Sequence, residues 1–140
     1  MLMGTYYHTL ESGGRVSLPK DFRSQAKKWI ITRGLDGGLF LFPAADFQSK
    51  LKQLNDDRSF TKKAHRDFIR LMTNEAQELT ADKSGRVKLP NYLTAYAKVK
   101  KNLVLVGSLD YVELWDRDTY HKYVDSLEKN AESIAERIYE

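Results

Sequence analysis

A short phrase appears twice in this sequence and constrains the fold more than any other feature. The first copy, ESGGRVSLP, covers residues 11–19, and the second copy, DKSGRVKLP, covers residues 82–90. A chain of 140 residues suits one ordinary domain or two small units that share a core, because halves of about 70 residues are marginally stable alone. The repeat favours two units.

The similarity between the two halves extends beyond this phrase. An offset of 71 residues aligns the two phrases, and an offset of 73 residues then aligns residues 30–54 with residues 103–127. Each half is therefore predicted to form a strand, a short helix, a strand, a turn, a strand and a longer helix. In each phrase glycine permits a tight turn, and Pro19 or Pro90 ends the strand that follows.

Several helices are predicted from apolar spacing. Short helices are expected over residues 21–27 and 92–97, and a connecting helix over residues 56–76. The last helix is expected to pack on its own body, and pairing with a neighbouring copy's helix is the alternative. The predicted buried stripe of the connecting helix is Phe60, Ala64, Phe68, Leu71 and Met72. The predicted stripe of the last helix is Tyr120, Val124, Leu127, Ala131, Ile134 and Ile138.

Together these elements predict an α+β fold built from two units. Residues 1–55 are expected to form the first unit, residues 56–76 the connecting helix, and residues 77–140 the second unit with its C-terminal helix. Three or four short strands per unit cannot bury both faces of a sheet, so we expect the two units to pair into one pseudo-symmetric body.

Composition excludes several classes of protein. The sequence has no cysteine, which rules out disulfides, thiolate nucleophiles and cysteine-bound metals. His8, His65 and His121 lie far apart without a metal-binding spacing, and no catalytic or nucleotide-binding motif occurs. No apolar run is long enough to span a bilayer, and the first residues do not resemble a signal peptide. We therefore expect a soluble, cytoplasmic protein that is not an enzyme, with no cofactor, metal, small-molecule ligand or membrane partner.

Charge is distributed unevenly along the chain. Residues 1–70 carry 13 Lys or Arg and 7 Asp or Glu, whereas residues 71–140 carry 10 and 12, within a net charge of +4. This asymmetry fits attraction of a polyanion to one face of the molecule, and solubility alone is the alternative explanation.

The two phrases and the text around them resemble the MraZ family of bacterial transcription regulators, which belongs to the AbrB-like swapped-hairpin superfamily. The opening GTYYHTL, the central FTKKAHRDFIRLMTNEAQELTADKSGR and the later LVLVGSLDYVELWDRDTY share this resemblance. It implies two tandem AbrB-like swapped-hairpin half-barrels that form one intertwined, pseudo-dimeric β-barrel flanked by helices.

The same resemblance implies a function. Self-association into a ring, often of eight subunits, would bring several copies to double-stranded DNA that carries short direct repeats. The repeats would lie upstream of the division and cell-wall gene cluster, with repression as the common outcome. Such a protein would be cytoplasmic and associated with the nucleoid.

Strand alternation singles out the basic residues of the phrases. If Val16 and Val87 face the core, Arg15 and Arg86 face outward. Guanidinium binds phosphate or guanine in a fork, so we expect Arg15 to be the leading DNA contact. The alternative is that each arginine only pairs with its own acidic residue, Glu11 or Asp82. The full set of candidate DNA contacts is Arg15, Lys20, Arg23, Arg86, Lys83 and Lys88.

Other readings of the surface stay open. Phe40, Phe42 and Trp115 could form ring contacts or pack in the core beneath helices. The basic stripe Lys63, Arg66 and Arg70 could be a solvated face or a rail for phosphates. The whole chain could instead be a ring-forming adaptor for proteins without specific DNA binding. An antitoxin-like DNA binder of the same superfamily is a third reading, although the doubled unit argues against it.

Overall fold

The computed structural model describes residues 1–54 and 60–139, and these residues form eight strands and six helices. The strands are β1 (Leu2–Thr9), β2 (Arg15–Ser17), β3 (Lys28–Arg33), β4 (Leu39–Pro43), β5 (Gln77–Thr80), β6 (Arg86–Lys88), β7 (Asn102–Leu109) and β8 (Val112–Asp116). The helices are α1 (Lys20–Arg23), α2 (Ala44–Leu54), α3 (Lys63–Asn74), α4 (Asn91–Tyr96), α5 (Arg117–Lys129) and α6 (Ala131–Arg137). The α+β class is confirmed.

The repeat seen in the sequence is also a repeat of structure. Strands β4 and β8 have the same length and lie at the predicted offset, and each is followed at once by a helix, α2 or α5. The two phrases form equivalent strands, β2 and β6, and each runs into a short helix, α1 or α4. The boundary predicted between residues 55 and 56 lies outside the described residues.

The two halves exchange strands within one antiparallel sheet of six strands, whose order is β1-β7-β8-β4-β3-β5. Strand β1 of the first half pairs with β7 of the second, from Leu2 opposite Leu109 to Thr9 opposite Asn102. Strand β5 of the second half pairs with β3 of the first. Neither half therefore completes its sheet alone.

A second, two-stranded sheet pairs the two copies of the phrase with each other, and we call this sheet the ribbon. Val16 on β2 lies opposite Val87 on β6 at its centre. Hydrogen bonds continue the pairing past both ends, because Leu18 N donates to Gly85 O at 2.9 Å and Leu89 N donates to Gly14 O at 2.8 Å. The phrase thus occurs twice because each copy is the partner strand of the other.

The core fills the space between the ribbon and one face of the large sheet. It is built from side chains of both halves. Helices α2 and α5 cover the other face, where Phe42 packs against Phe47 and Trp115 stacks on Tyr123. Because Phe42 and Trp115 are 4% and 1% exposed, the core reading is confirmed for these two residues and the ring-contact reading is wrong for them. Phe40 is half-buried beside Phe42.

The helices differ from the prediction in places. Helix α1 is a single turn that ends at Arg23, shorter than the predicted 21–27, because the chain must enter strand β3 at Lys28. Of the stripe predicted for the connecting helix, only Met72 is fully buried and Phe68 is half-buried; Leu71 is 46% exposed, and Phe60, which precedes α3, is 72% exposed. Ala64 is exposed as well.

The end of α3 explains this error. The buried hydroxyl of Thr32 donates to Met72 O at 2.7 Å, and Arg33 forms a two-pronged ion pair with Glu75 at 3.0 Å. These contacts fix which side of α3 meets the sheet, and the spacing of apolar residues did not reveal them.

The predicted last helix is broken into α5 and α6 at Asn130, where φ is −119° and ψ is 20°. Tyr120 and Tyr123 of α5 pack on Trp115, so packing on the chain's own body is confirmed for this part. Ile138, beyond α6, is 73% exposed. None of the helices described combines the length and the apolar character that crossing a bilayer requires.

Candidate nucleic-acid interface

The ribbon has one apolar and one charged face, because side chains alternate along each strand. Val16 and Val87 are 0% and 1% exposed and face the core. Arg15 and Lys88 lie directly opposite each other and are exposed on the outer face, while Arg86 is half-buried. The alternation predicted from the sequence is confirmed.

Each strand of the ribbon begins at a tight turn that needs glycine. Gly14 N donates to Glu11 O at 3.1 Å, and Gly85 N donates to Asp82 O at 2.9 Å. Gly14 and Gly85 have φ of 77° and 78°, in the left-handed region that favours glycine. A side chain at Gly85 would also collide with the guanidinium of Arg23. Glycine therefore lets helix α1 of the first half approach the turn of the second half.

The six predicted cations fall into two groups, one at each end of the ribbon. The Arg15 end carries Arg15 and Lys88, which face each other across the two strands. At the other end, Arg23 Nη1 donates to Ser84 O at 3.5 Å, which places α1 beside the turn that precedes Arg86. This second group, the Arg86 end, consists of Lys20, Arg23, Lys83 and Arg86.

The two arginines of the repeat have different partners. Arg86 Nε lies 3.4 Å from Asp82 Oδ2, and Arg86 Nη1 lies 3.9 Å from Glu11 Oε2. Among the described residues, no hydrogen bond or ion pair holds the side chain of Arg15. Pairing with an acidic residue, which was the alternative to DNA contact, therefore occurs for Arg86 and not for Arg15.

Asp82 is held in its charged form at the centre of the second turn. Its Oδ1 accepts the backbone N–H groups of Ser84 at 2.8 Å and Arg86 at 3.0 Å. The hydrogen bond from the Arg86 backbone, together with that from Ser84 and the nearby guanidinium charge, lowers the pKa of Asp82. Asp82 is therefore an anion at neutral pH and neutralises part of the charge at the Arg86 end.

Positive charge nevertheless dominates this region. Residues 11–23 and 82–94 together carry six Lys or Arg and three Asp or Glu. Arg15 and Lys88 repel each other, because like charges directly opposite on two strands are destabilising. A bound polyanion would relieve this repulsion, and this arrangement suits a phosphate backbone.

The basic stripe on α3 is different, because a carboxylate of the same helix pairs with two of its three cations. Lys63 and Arg70 both pair with Asp67, at 2.5 Å and 2.8 Å. Arg66 donates to Phe60 O at 3.0 Å. These contacts favour the reading of a solvated face over a rail for phosphates.

Comparison with known protein families gives two matches in this chain, one for each half of the repeat. The family described as "MraZ protein, putative antitoxin-like" matches residues 1–71 and then again residues 72–139. The chain belongs to the MraZ family. The resemblance drawn from the two phrases is confirmed, and so is the tandem repeat.

Relatives in the MraZ family align along nearly the whole chain. The transcriptional regulator MraZ of Carboxydothermus hydrogenoformans is 40% identical over 99% of this chain and 96% of its own length. The protein of the same name from Halothermothrix orenii is 38% identical over 96% of this chain and 94% of its own length. That of Pediococcus pentosaceus is 37% identical over 99% and 96%. All three are named as regulators and none as an enzyme.

In this MraZ family member, Asn91 is a polar residue beside the ribbon that the sequence pattern did not single out. Asn91 begins helix α4, and its Oδ1 lies close to Gly14 at the Arg15 end. The repeat places Asn91 at the position that Lys20 holds in the first half. The signal for Asn91 in the sequence is its alignment with Lys20, although Asn91 itself carries no charge.

Proposed function

We propose that this chain is a sequence-specific DNA-binding transcription regulator and that the ribbon is its DNA-reading element. The observation that carries the proposal is the pair Arg15 and Lys88, two exposed cations directly opposite each other on a strand pair made from both copies of the phrase. The names of the MraZ relatives support a role in transcription.

A two-stranded ribbon of this kind has dimensions that suit DNA. The major groove of B-DNA is about 12 Å wide and admits a two-stranded β-ribbon. In this proposal Arg15 makes the leading contact, to a guanine edge or to phosphate, because no side chain of residues 1–54 and 60–139 holds it. Exposed lysines and Arg23 supply phosphate contacts, and Arg86 takes second rank because carboxylates already hold it. The lysines are Lys20, Lys83 and Lys88.

The finer parts of the proposal rest on the family resemblance. We propose that the strand exchange and the ribbon make an intertwined, swapped-hairpin barrel of the AbrB-like kind, flanked by helices. The DNA target is short direct repeats upstream of the division and cell-wall gene cluster, and the outcome of binding is repression. The chain then works in the cytoplasm on the nucleoid.

Self-association into a ring, with eight subunits expected, completes the proposal. The exposed apolar side chains of Phe60, Ile138 and Tyr139 support contacts between copies, because they are 72%, 73% and 91% exposed in a single chain. Tethered copies on repeated sites raise avidity by roughly 10²- to 10⁴-fold. The modest positive charge of each ribbon would then be sufficient for the whole ring to bind DNA.

Substitution of Arg15 tests the role of the ribbon. Duplexes enriched by selection from random DNA serve as probes, and fluorescence anisotropy at several salt concentrations gives affinity and salt slope. Arg15→Ala is expected to weaken binding roughly 5- to 150-fold, and to lower the slope by about one if the lost contact is to phosphate. Arg137→Ala, which removes the same charge from α6, is the matched control and should bind like the wild type. Unchanged affinity and slope for Arg15→Ala would remove Arg15 from the site and with it the observation that carries the proposal.

The ring-forming protein adaptor is the second candidate, and the exposed apolar residues named above favour it equally. Selection of bound duplexes from random DNA, combined with light scattering to measure the mass of the protein–DNA particle, distinguishes the two candidate functions. Enrichment of spaced direct repeats by a large assembly supports the regulator. A large assembly that enriches no sequence and shows no salt-dependent DNA binding supports the adaptor.

A further inference from the structure

The two arginines of the repeat occupy equivalent positions, but their surroundings differ. We propose that Arg86 is a positioning residue that ties the turns of the two phrases together and so fixes the backbone that carries Arg15. This inference rests on the proposed function, because Arg15 is taken to be the group that holds DNA. It assigns different roles to residues that the repeat alone would treat alike.

Arg86 is the side chain that joins the two turns. Its guanidinium lies between Asp82, in the turn of its own phrase, and Glu11, in the turn of the other phrase, at 3.4 Å and 3.9 Å. The Nε atom is buried without a hydrogen bond of good geometry, so the carboxylates provide its compensating charge. The side chain of Arg86 is 39% exposed, less than that of either carboxylate it pairs with.

Asp82 fixes the near end of this tie. Its Oδ1 accepts two backbone N–H groups of its own turn, and its Oδ2 faces Arg86 Nε. With two hydrogen bonds and an ion pair, this carboxylate has a defined position. Arg86 is thereby directed toward the opposite turn.

Glu11 fixes the far end and connects it to Arg15. Glu11 N donates to Arg15 O at 2.7 Å, and Glu11 O accepts from Gly14 N at 3.1 Å. The residue that receives Arg86 therefore also bonds to the peptide of Arg15. Holding the Glu11 side chain restricts the turn from which Arg15 projects.

The residues opposite each arginine explain why the roles are not exchanged. Arg15 lies opposite Lys88, whereas Arg86 lies opposite Ser17, although Ser17 and Lys88 are equivalent in the repeat. Lys88 repels the Arg15 guanidinium, whereas neutral Ser17 exerts no such repulsion on Arg86. Arg86 collects both carboxylates, and Arg15 stays available for an outside anion.

Removing the charge of Glu11 distinguishes a positioning role of Arg86 from direct contact of Arg86 with DNA, because the two roles predict opposite changes in DNA affinity. If Arg86 positions Arg15, Glu11→Gln weakens binding several-fold even though it removes a negative charge near DNA. If the carboxylates only withhold Arg86 from DNA, Glu11→Gln strengthens binding. Asp21→Asn is the matched control, because it removes one carboxylate from the same region that pairs with Tyr6 and not with Arg86.

The arginine variants supply a second readout through the salt dependence of binding. Arg86→Ala is expected to weaken binding and to leave the salt slope unchanged, whereas Arg15→Ala lowers the slope if it loses a phosphate contact. Combining Glu11→Gln with Arg86→Ala should weaken binding no further than Arg86→Ala alone, since both break one tie. If Arg86→Ala fails to fold, Arg86→Lys replaces it, because one ammonium cannot fork between two carboxylates.

All measurements use the full chain and a duplex recovered by selection from random DNA. Binding strengthened by Glu11→Gln as much as by Asp21→Asn, together with a slope lowered by about one in Arg86→Ala, would make Arg86 a direct contact and overturn the inference. The proposed function would then stand. Absence of salt-dependent binding by the wild type would overturn the proposed function and the inference with it.

Discussion

The contact between Val16 and Val87 at the centre of the ribbon gives the sharpest test of how the two halves are joined. Both side chains are almost fully buried, at 0% and 1% exposure, and they face each other across β2 and β6. Replacing either one with alanine removes two methyl groups from a site shared by both copies of the phrase. The two substitutions should therefore be strongly coupled.

The expected magnitude follows from the buried volume. Two buried methyl groups contribute about 1.6 kcal/mol of transfer free energy, and the cavity they leave raises the loss to roughly 2–3 kcal/mol for each single variant. The second substitution enlarges a cavity that already exists. The double variant is therefore expected to lose about 0.5–1 kcal/mol less than the sum of the two single losses.

Urea unfolding followed by tryptophan fluorescence measures these losses, since Trp29 and Trp115 are both buried in the folded chain. Val124→Ala on α5 is the control partner, because Val124 is half-buried on a helix that covers the opposite face of the large sheet. Val16→Ala and Val124→Ala should add within about 0.5 kcal/mol. Additive losses for Val16→Ala and Val87→Ala would refute the pairing of the two phrases.

Two further predictions concern the second half. Gly107→Ala would drive a methyl group into the backbone of Leu2–Met3, so the start of β1 must detach, and we expect a loss of about 2–4 kcal/mol in urea unfolding; Ser108→Ala, which removes only a side-chain hydrogen bond with Tyr111, is the control and should lose about 1 kcal/mol. Because the backbone hydrogen bond from Arg86 lowers the pKa of Asp82 below its ordinary 3.8, Asp82 stabilises the fold above that pH and ceases to do so as pH falls through its lowered pKa. Unfolding measured from pH 5 downward should thus lose stability less steeply in Asp82→Asn than in the wild type, and equal slopes would contradict this.

Much of the local structure could be predicted from sequence, because the repeat imposes the same pattern twice. The strands of the phrases and the strand-then-helix order at Leu39–Leu54 and Val112–Lys129 lie at the predicted offsets. Intertwining of the two halves was expected from the family resemblance, but the particular strands that cross between them, β1 and β5, were not predicted. Alternation determines which face of a strand is buried, but it does not select the neighbouring strand.

Burial on both faces of the large sheet also limited the prediction. Leu41 and Phe42 are consecutive and both buried, because the core covers one face and helices cover the other. Alternation alone left the place of Phe42 open between the core and a ring contact. The exposure of Leu71 shows a related limit, since long-range contacts at the end of α3 decide which side of that helix is covered.

At the candidate site, the residue pattern predicts which side chains face outward but not which of them form ion pairs. The outward direction of Arg15 follows from period-two alternation and needed no structure. The capture of both carboxylates by Arg86 required knowledge of the strand register, because only the register places Ser17 opposite Arg86 and Lys88 opposite Arg15. Equivalent sequence positions therefore did not have equivalent electrostatic surroundings.

The exchange of strands has a consequence for synthesis on the ribosome. Leu2 pairs with Leu109, so β1 must wait for its partner until the ribosome has made β7. At about 5–20 residues per second, this wait lasts roughly 5–20 s. During that time β1 lacks its only strand neighbour in the described sheet, and a chain truncated before β7 would leave it unpaired.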